Sequence, residues 1–407
     1  MLAFVKINAR WLTAGGLLML VSGFGQTYFI ALFAGFIQSD LGLSHGEWGS
    51  MYTFATIGSA AVMLWAGTLT DQYRVRSLVP VVLGVFATAA FWMSQANATW
   101  MLIPMIFILR LMGQGMLSHI ASVATSRWFV TTRGKALSLA SLGYAAGESM
   151  IPIAVVFAFA FVGWQAIWVV ATLVILGAIP ILMRLLKTER TPQSIVMQDQ
   201  SEGMLGKHWT RVEVLRHPLF WIMAPVVMGP PSFISAFIFH QVHYAEVLGF
   251  AHIQLVQFFP LFTATTILAT MISGWALDKF GTARLLPYHQ IPCIAAFACF
   301  AMVDSVVWMG AGFAFMGLTA GAGKAIPTAF WAEFFGTRHL GAIKSMAAAI
   351  MVLGSALGPG ITGYLIDAGV PLMTQYWCIA GYFALMTVLM LIAFTIVQQK
   401  NLLPRTS

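Results

Sequence analysis

Charge is what this chain has least of. Only 8% of its 407 residues are Asp, Glu, Lys or Arg, against ~25% in an ordinary soluble domain. That scarcity excludes a soluble enzyme and a disordered chain, both of which need charged surface. Cysteine is nearly absent as well. Cys293, Cys299 and Cys378 are the three present, and all fall inside apolar stretches with no metal-ligand spacing. A secreted disulfide scaffold is thereby excluded, and packing is the role left to them. There is no Gly-x4-Gly-Lys-Ser/Thr segment, so ATP is not expected to drive the protein. No His-x-x-Glu-His segment, cysteine pair or serine with an adjacent base lies in a span, so no catalytic residue, metal or cofactor is expected. Apolar residues do not alternate every second position over ten-residue segments, which excludes a transmembrane barrel.

What is abundant is apolar residues, 59% of the chain or about 240 positions. Twelve membrane helices of ~20 residues require that number. The hydropathy pattern predicts spans at 11–36, 47–69, 77–96, 100–124, 136–159, 165–185, 218–241, 252–275, 285–304, 307–329, 341–364 and 375–397. Lys6 and Arg10 precede the first. It is too long for a signal-peptide core and has no small-x-small cleavage site, so it reads as an uncleaved helix. The net charge of +8 does not point to nucleic acid, because most of the 21 Lys and Arg residues sit in short clusters on alternate connections. Arg74, Arg76, Arg127, Arg133, Lys187, Arg211 and Arg284 share one set with both termini, whereas the other set has acids such as Asp40, Glu47 and Glu246 and no Lys or Arg. Such a bias places both termini in the cytoplasm. The expected home is a plasma membrane, the inner membrane of a bacterium, with lipid as a partner.

The longest polar stretch predicts three segments: an N-terminal six-helix bundle at 1–186, a cytoplasmic linker at 187–217 with a short amphipathic helix near Trp209, and a C-terminal six-helix bundle at 218–407. The two bundles echo each other. Gly67-Thr-Leu-Thr-Asp71-Gln-Tyr-Arg74-Val-Arg76 is repeated as the run from Gly274 through Asp278 to Arg284, with the aspartates 207 residues apart. Gly143 and Gly147 in span 5 match Gly354 and Gly358 in span 11. Both pairs have the small-xxx-small spacing of close helix crossings. Internal duplication of this kind is typical of secondary transporters.

These residues resemble the major facilitator superfamily. The Gly67–Arg76 run is similar to its loop 2–3 signature, and Arg110-Leu-Met-Gly113-Gln114-Gly115 to its span 4 arginine motif. The segment from Ser126 to Glu148 partially resembles the monocarboxylate and oxalate/formate carrier branch, with an aromatic pair, then Arg133-Gly134, then a glycine-rich span 5. That branch carries a carboxylate-contacting Arg in span 8. Span 8 here has none, so an anion site would have to be built differently. The resemblance implies an all-α polytopic protein of twelve transmembrane helices in two pseudo-symmetric bundles, working as a monomer by alternating access. It implies a cytoplasmic gate in which Asp71 meets Arg74, Arg76, Arg127 and Arg133, with Asp278 and Arg284 as the mirror copy. It also implies a cavity lined by spans 1, 4, 7 and 10, where Gln26, Tyr28, Gln114 and His240 are polar candidates.

Arg110, Glu148 and Lys324 are the fixed charges well inside predicted spans. Each costs at least ~2.5 kcal/mol in lipid, so each should face a cavity or a partner. At 1.5 Å per residue, Arg110 and Glu148 both fall near the midplane, on consecutive antiparallel spans. The expected function is a secondary active transporter for a small organic solute, an organic anion such as a carboxylate, coupled to protons. Arg110 would bind the anionic group, Glu148 would carry the coupling proton, and Lys324 would either snorkel to the interface or add positive charge to the site. The alternative is a proton-antiport exporter of drugs, siderophores or other metabolites. Exporters of that kind typically have Gly-Pro in span 5, where this chain has Gly147-Glu148.

Overall fold

The computed structural model describes residues 2–67, 69–129, 133–187, 203–336 and 339–399. Among them there are helices and turns and no strand, as the absence of period-two patterning requires. Among the described residues, ten helices are long and apolar enough to cross a membrane. Their outward faces keep Trp100, Met271 and Tyr364 largely exposed, a distribution that suits lipid and not water.

Two of the predicted spans differ from that pattern. Span 2 forms a helix from His45 to Ala66, opened by a capping box between Ser44 and Glu47. Its Gly, Ser and Thr residues leave it short of the apolarity that marks the other ten. Span 9 was expected to be continuous over 285–304. It is broken instead, with a 3-10 turn at Leu286–Tyr288 followed by a helix of only 11 residues, Ile291–Ala301. Pro287 and Pro292 lack the N–H groups that a continuous ladder needs.

The contacts divide the chain into two compact units. Unit 1 comprises Met1–Val196 and Ile238–Gln257, and unit 2 comprises Met197–Phe237 and Phe258–Ser407. The helices of each unit pair in the same scheme. In unit 1, span 2 packs on span 4, span 3 (Val75–Ser94) on span 6 (Trp164–Leu185), and span 1 on span 5 (Arg133–Ala158). In unit 2, span 8 (Phe259–Phe280) packs on span 10 (Val306–Phe335), and span 9 on span 12 (Leu372–Gln399). Span 7 (Pro218–Phe239) meets span 11 (Leu340–Asp367) where Gly354 and Gly358 lie against Ser232. A Cβ at Gly358 would strike the Ser232 carbonyl, and one at Gly143 would strike the Gly16 carbonyl. The small residues of spans 5 and 11 thus allow backbone-to-backbone crossings in both units, as their spacing implied.

Side-chain ties agree with the chain direction in unit 1. Arg10 donates through Nη2 to the Arg184 carbonyl at 2.7 Å and through Nε to Leu185. Arg76 reaches the Lys187 carbonyl at 3.4 Å. The starts of spans 1 and 3 therefore lie at the end of span 6, where cations satisfy its last carbonyls. At the opposite end, Trp164 donates to Asp40 at 2.9 Å, tying the start of span 6 to the end of span 1. Within unit 2 the described part of the linker forms the expected short helix, Arg211–Arg216. Residues 188–202 of the linker lie outside the described residues.

Candidate functional site

Span 1 was expected to be one helix and is not. Its first helix ends at Val21, a 3-10 turn covers Ser22–Gly25, and Gln26 is extended at φ −86 and ψ 157. Helix resumes at Thr27, tightens again at Ala31–Phe33 and ends at Leu41. The cause lies in the packing. A Cβ at Gly25 would strike the Leu109 carbonyl and lie 2.8 Å from the Gly113 Cα. Two backbones therefore touch where span 1 unwinds.

The segment it touches is also irregular. Span 4 runs as an α-helix from Thr99 to Leu109, widens into a π-helix over Arg110–Leu117, and returns to α-helix at Ser118. A π-segment adds a residue to the turn and shifts side chains out of the regular stripe, and such segments concentrate at functional sites. Irregular backbone at membrane depth is tolerated where protein or a cavity surrounds it.

Arg110 begins the π-segment and is 1% exposed. One terminal nitrogen, Nη1, donates to the carbonyl of Gly25 and to the Thr27 hydroxyl, both at 3.3 Å. The Gly25 carbonyl lies within the interruption of span 1, so the break itself supplies a ligand to the arginine. Thr27 also shares a 2.6 Å hydrogen bond with the Tyr52 hydroxyl. The guanidinium carbon lies 5.2 Å from the centre of the Tyr52 ring, a cation–π geometry. The other two nitrogens, Nε and Nη2, are buried and make no hydrogen bond. Two long bonds and a ring do not offset the several kcal/mol that it costs to bury a guanidinium. The arrangement has donors left over for an acceptor.

Span 5 supplies the next layer. Tyr144 interacts electrostatically with Arg110 and hydrogen-bonds the Glu148 side chain, one helical turn further along. Tyr28 packs edge-on against Tyr144 at 6.1 Å between ring centres. Its hydroxyl is buried with no hydrogen-bond partner and lies 3.0 Å from where a Cβ on Gly147 would sit. Arg110, Tyr28 and Glu148 thus fall in one constellation, joined through Tyr144. Gln26 is 7% exposed and sits at the break itself, and Gln114 is half-buried on the π-segment.

Other expected residues lie elsewhere. His240 is 2% exposed and belongs to a histidine group with His45 and His243, beside Phe239. Lys324 is exposed on span 10 of unit 2. Among the expected gate residues, Arg74, Arg76 and Arg284 are exposed. The side chains of Asp71, Arg127, Arg133 and Asp278 lie outside the described residues. Sequence reasoning did not single out Thr27, Tyr52 or Tyr144. Only Tyr144 left a usable signal, since it stands four residues before an intramembrane glutamate.

The comparisons with known proteins follow the same line. The sequence profile of the Major Facilitator Superfamily matches residues 15–309. An uncharacterized MFS-type transporter of Escherichia coli (strain K12), YhjX, is 23% identical over 348 residues, covering 82% of each chain. The nucleoside transporter NupG superposes with a TM-score of 0.72 at 13% identity, over 95% of this chain and 98% of that one. A bacterial homolog of the human lysosomal transporter Spinster, inward-facing and unoccupied, superposes with a TM-score of 0.67 at 16% identity, over 97% of each. Identities this low establish the fold alone.

Proposed function

This chain belongs to the major facilitator superfamily, and we propose that it moves a small organic anion, such as a carboxylate, across the plasma membrane by proton-coupled alternating access. The observation that carries the reading is Arg110, 1% exposed and with Nε and Nη2 unused. Two adjacent guanidinium N–H groups form the fork that a carboxylate matches. A buried charge with spare donors is stabilised by an arriving anion more than a solvated one would be. Gln26, Tyr28 and Gln114 supply uncharged polar contacts around it. Glu148 provides the proton site. Ionised, it competes with the substrate for the positive charge beside Tyr144. Protonated, it leaves Arg110 to the incoming anion, so solute and proton enter the site together. The gate formed by Asp71, Arg74, Arg76, Arg127 and Arg133, with Asp278 and Arg284, closes the cytoplasmic side.

A thermal-shift screen of the purified protein tests this. Mono- and dicarboxylates and lipophilic cations are compared at acidic and alkaline pH, on wild type, Arg110→Ala and Glu148→Gln. A ligand at ~100 times its dissociation constant adds about 2.7 kcal/mol of stability. Carboxylates should stabilise wild type more at acidic pH, Arg110→Ala should show no shift, and Glu148→Gln should respond equally at both pH values. Stabilisation by lipophilic cations alone, unchanged in Arg110→Ala, would replace this reading with the exporter. Full pH dependence retained by Glu148→Gln would remove Glu148 as the proton site.

A further inference from the structure

Span 6 ends on a cation, and the face that leads to it is apolar. Val174, Gly177, Ile181 and Arg184 follow one another at steps of three and four residues, so they share one side of the helix Trp164–Leu185. Span 1 has the same arrangement in the opposite direction. Arg10 precedes Leu17 by two turns of the helix Leu2–Val21, and Leu20 continues that side. The two basic ends are tied together, because Arg10 donates to the carbonyls of Arg184 and Leu185. Between the two faces lies an open groove of about 360 Å³. The described residues that line it are all apolar, among them Leu17, Leu20 and Phe24 of span 1, Ile151 of span 5, and Gly177 and Ile181 of span 6. Glycine is unfavourable inside a helix, yet nothing crowds Gly177. A Cβ there would meet no atom within 4 Å. Its effect is to keep the groove open.

Water does not suit this groove, since an ordered water needs two to four polar partners. An acyl chain needs none. At 1.5 Å per residue, Arg184 stands ~4.5 Å beyond Ile181, and Arg10 stands ~10 Å before Leu17. A headgroup at the arginines is therefore within reach of a chain that lies in the groove. Arg10 uses donors on the span 6 carbonyls but keeps its charge, while Arg184 is exposed and Lys187, also exposed, stands one turn beyond it. Arginine binds phosphate through paired N–H donors, and basic pockets at the ends of membrane helices attract anionic headgroups. The far end of the groove meets the interruption of span 1. Ile151 lies 3.2 Å from where a Cβ on Gly23 would sit, within the turn Ser22–Gly25. A chain in the groove thus packs beside the segment whose Gly25 carbonyl holds Arg110.

We propose that the groove between spans 1 and 6 is a binding site for an anionic phospholipid, with one acyl chain along Leu17, Phe24 and Gly177 and the phosphate on Arg184 beside Arg10. A zwitterionic lipid offers the same chain, but its ammonium group meets two arginines and a lysine. Like charges repel, so the site selects a net negative headgroup.

Native mass spectrometry of the full-length protein reads the site without any substrate. The protein is released from detergent micelles after addition of phosphatidylglycerol or phosphatidylethanolamine with the same acyl chains. Wild type should retain phosphatidylglycerol at least about threefold more tightly, the scale of an exposed charge contact. Gly177→Leu fills the groove from a position where nothing obstructs the new side chain. It removes the chain's packing surface and should lower retention of phosphatidylglycerol at least about threefold. Gly84→Leu adds the same bulk at an equally open position on span 3, outside the groove, and should retain lipid as wild type does. Arg184→Gln changes an exposed side chain and leaves the helix carbonyls in place, so it tests the headgroup contact even if Gly177→Leu does not fold. It should abolish the preference between the two lipids. Equal retention of both lipids by wild type overturns the proposal, as does an unaltered preference in Arg184→Gln. Undiminished retention in Gly177→Leu, or an equal loss in Gly84→Leu, overturns it as well.

Discussion

Spans 1 and 7 stand at corresponding places in the two repeats, but span 1 is interrupted at Ser22–Gly25 and extended at Gln26, whereas span 7 runs as one helix from Pro218 to Phe239. Their partners differ in the same way. In unit 1, Gly147 of span 5 faces the Tyr28 hydroxyl, while its counterpart Gly358 in unit 2 faces the backbone of Ser232. Span 4 widens into a π-segment with a buried arginine, while span 10 is a continuous helix of 30 residues with Phe330, Trp331, Phe334 and Phe335 buried along it. The crossings are conserved between the units and the chemistry is not. Duplication supplied two scaffolds of the same geometry, and one of them gave up helical regularity to surround a charge. The other kept it.

Replacing the two intramembrane cations should separate the units most sharply. Arg110→Ala removes charge-assisted hydrogen bonds to an anion, worth about 1.5–3 kcal/mol each. Two such bonds predict a loss of substrate affinity on the order of 100-fold or more. Lys324→Gln, on exposed surface, should cost less than about fivefold, the scale of a solvated charge contact. Uptake into proteoliposomes at varied substrate concentration measures both. Equal losses would mean that unit 2 contributes as much to recognition as unit 1, and the asymmetry would be structural only.

Glycine substitutions provide the next largest effect and address geometry instead of charge. Gly25→Ala puts a methyl group into the Leu109 carbonyl, at the contact between the break and the π-segment. Gly358→Ala does the same against Ser232 in unit 2. Each should destabilise the protein by about 1–3 kcal/mol, because backbone must move. The units should then diverge in function. Gly25→Ala displaces the carbonyl that holds Arg110 and should weaken substrate binding beyond its effect on thermal stability, while Gly358→Ala should alter stability with binding retained. Thermal midpoints and binding isotherms on the same preparations test the pair. If Gly358→Ala weakened binding as strongly, the break in span 1 would not be what positions the site.

The scaffold was more legible in the sequence than the site. Apolar periodicity, the basic connections and the repeated Asp71 and Asp278 motifs pointed to the superfamily fold, because lipid imposes those patterns at every span. Arg110 and Glu148 were also visible, since an ionisable residue inside an apolar run is conspicuous. The carbonyl of Gly25 as a ligand was not. It depends on a helix break and a π-segment that arise from the contact of Gly25 with Gly113, a tertiary event with no local period. His240 was read as a cavity residue because its span is a cavity span in the family, whereas the histidines grouped with it, His45 and His243, come from connections whose packing no periodicity describes.

The smallest expected effect is a pH response confined to unit 2. In unit 2 the Glu213 carboxylate accepts from Lys207 at 2.5 Å and from the Thr210 N–H and hydroxyl at 2.8 Å. Foremost the bond from Lys207, then those from Thr210, hold its pKa down to about 2 from an ordinary 4.5. A depressed carboxylate stabilises the fold above its unfolded value, and that contribution is lost as pH falls from 4.5 toward 2. The linker turn at Met204–Arg216 should therefore keep its amide protection at about pH 5. Because both side chains are exposed, Glu213→Gln should lower the thermal midpoint by no more than about 2 °C at neutral pH. It should leave exchange over 238–249 unchanged, since Glu213 and that segment belong to different units. Loss of protection over the linker turn already at about pH 5, above the range in which Glu213 titrates, would mean that its bonds to Lys207 and Thr210 are not what holds the turn.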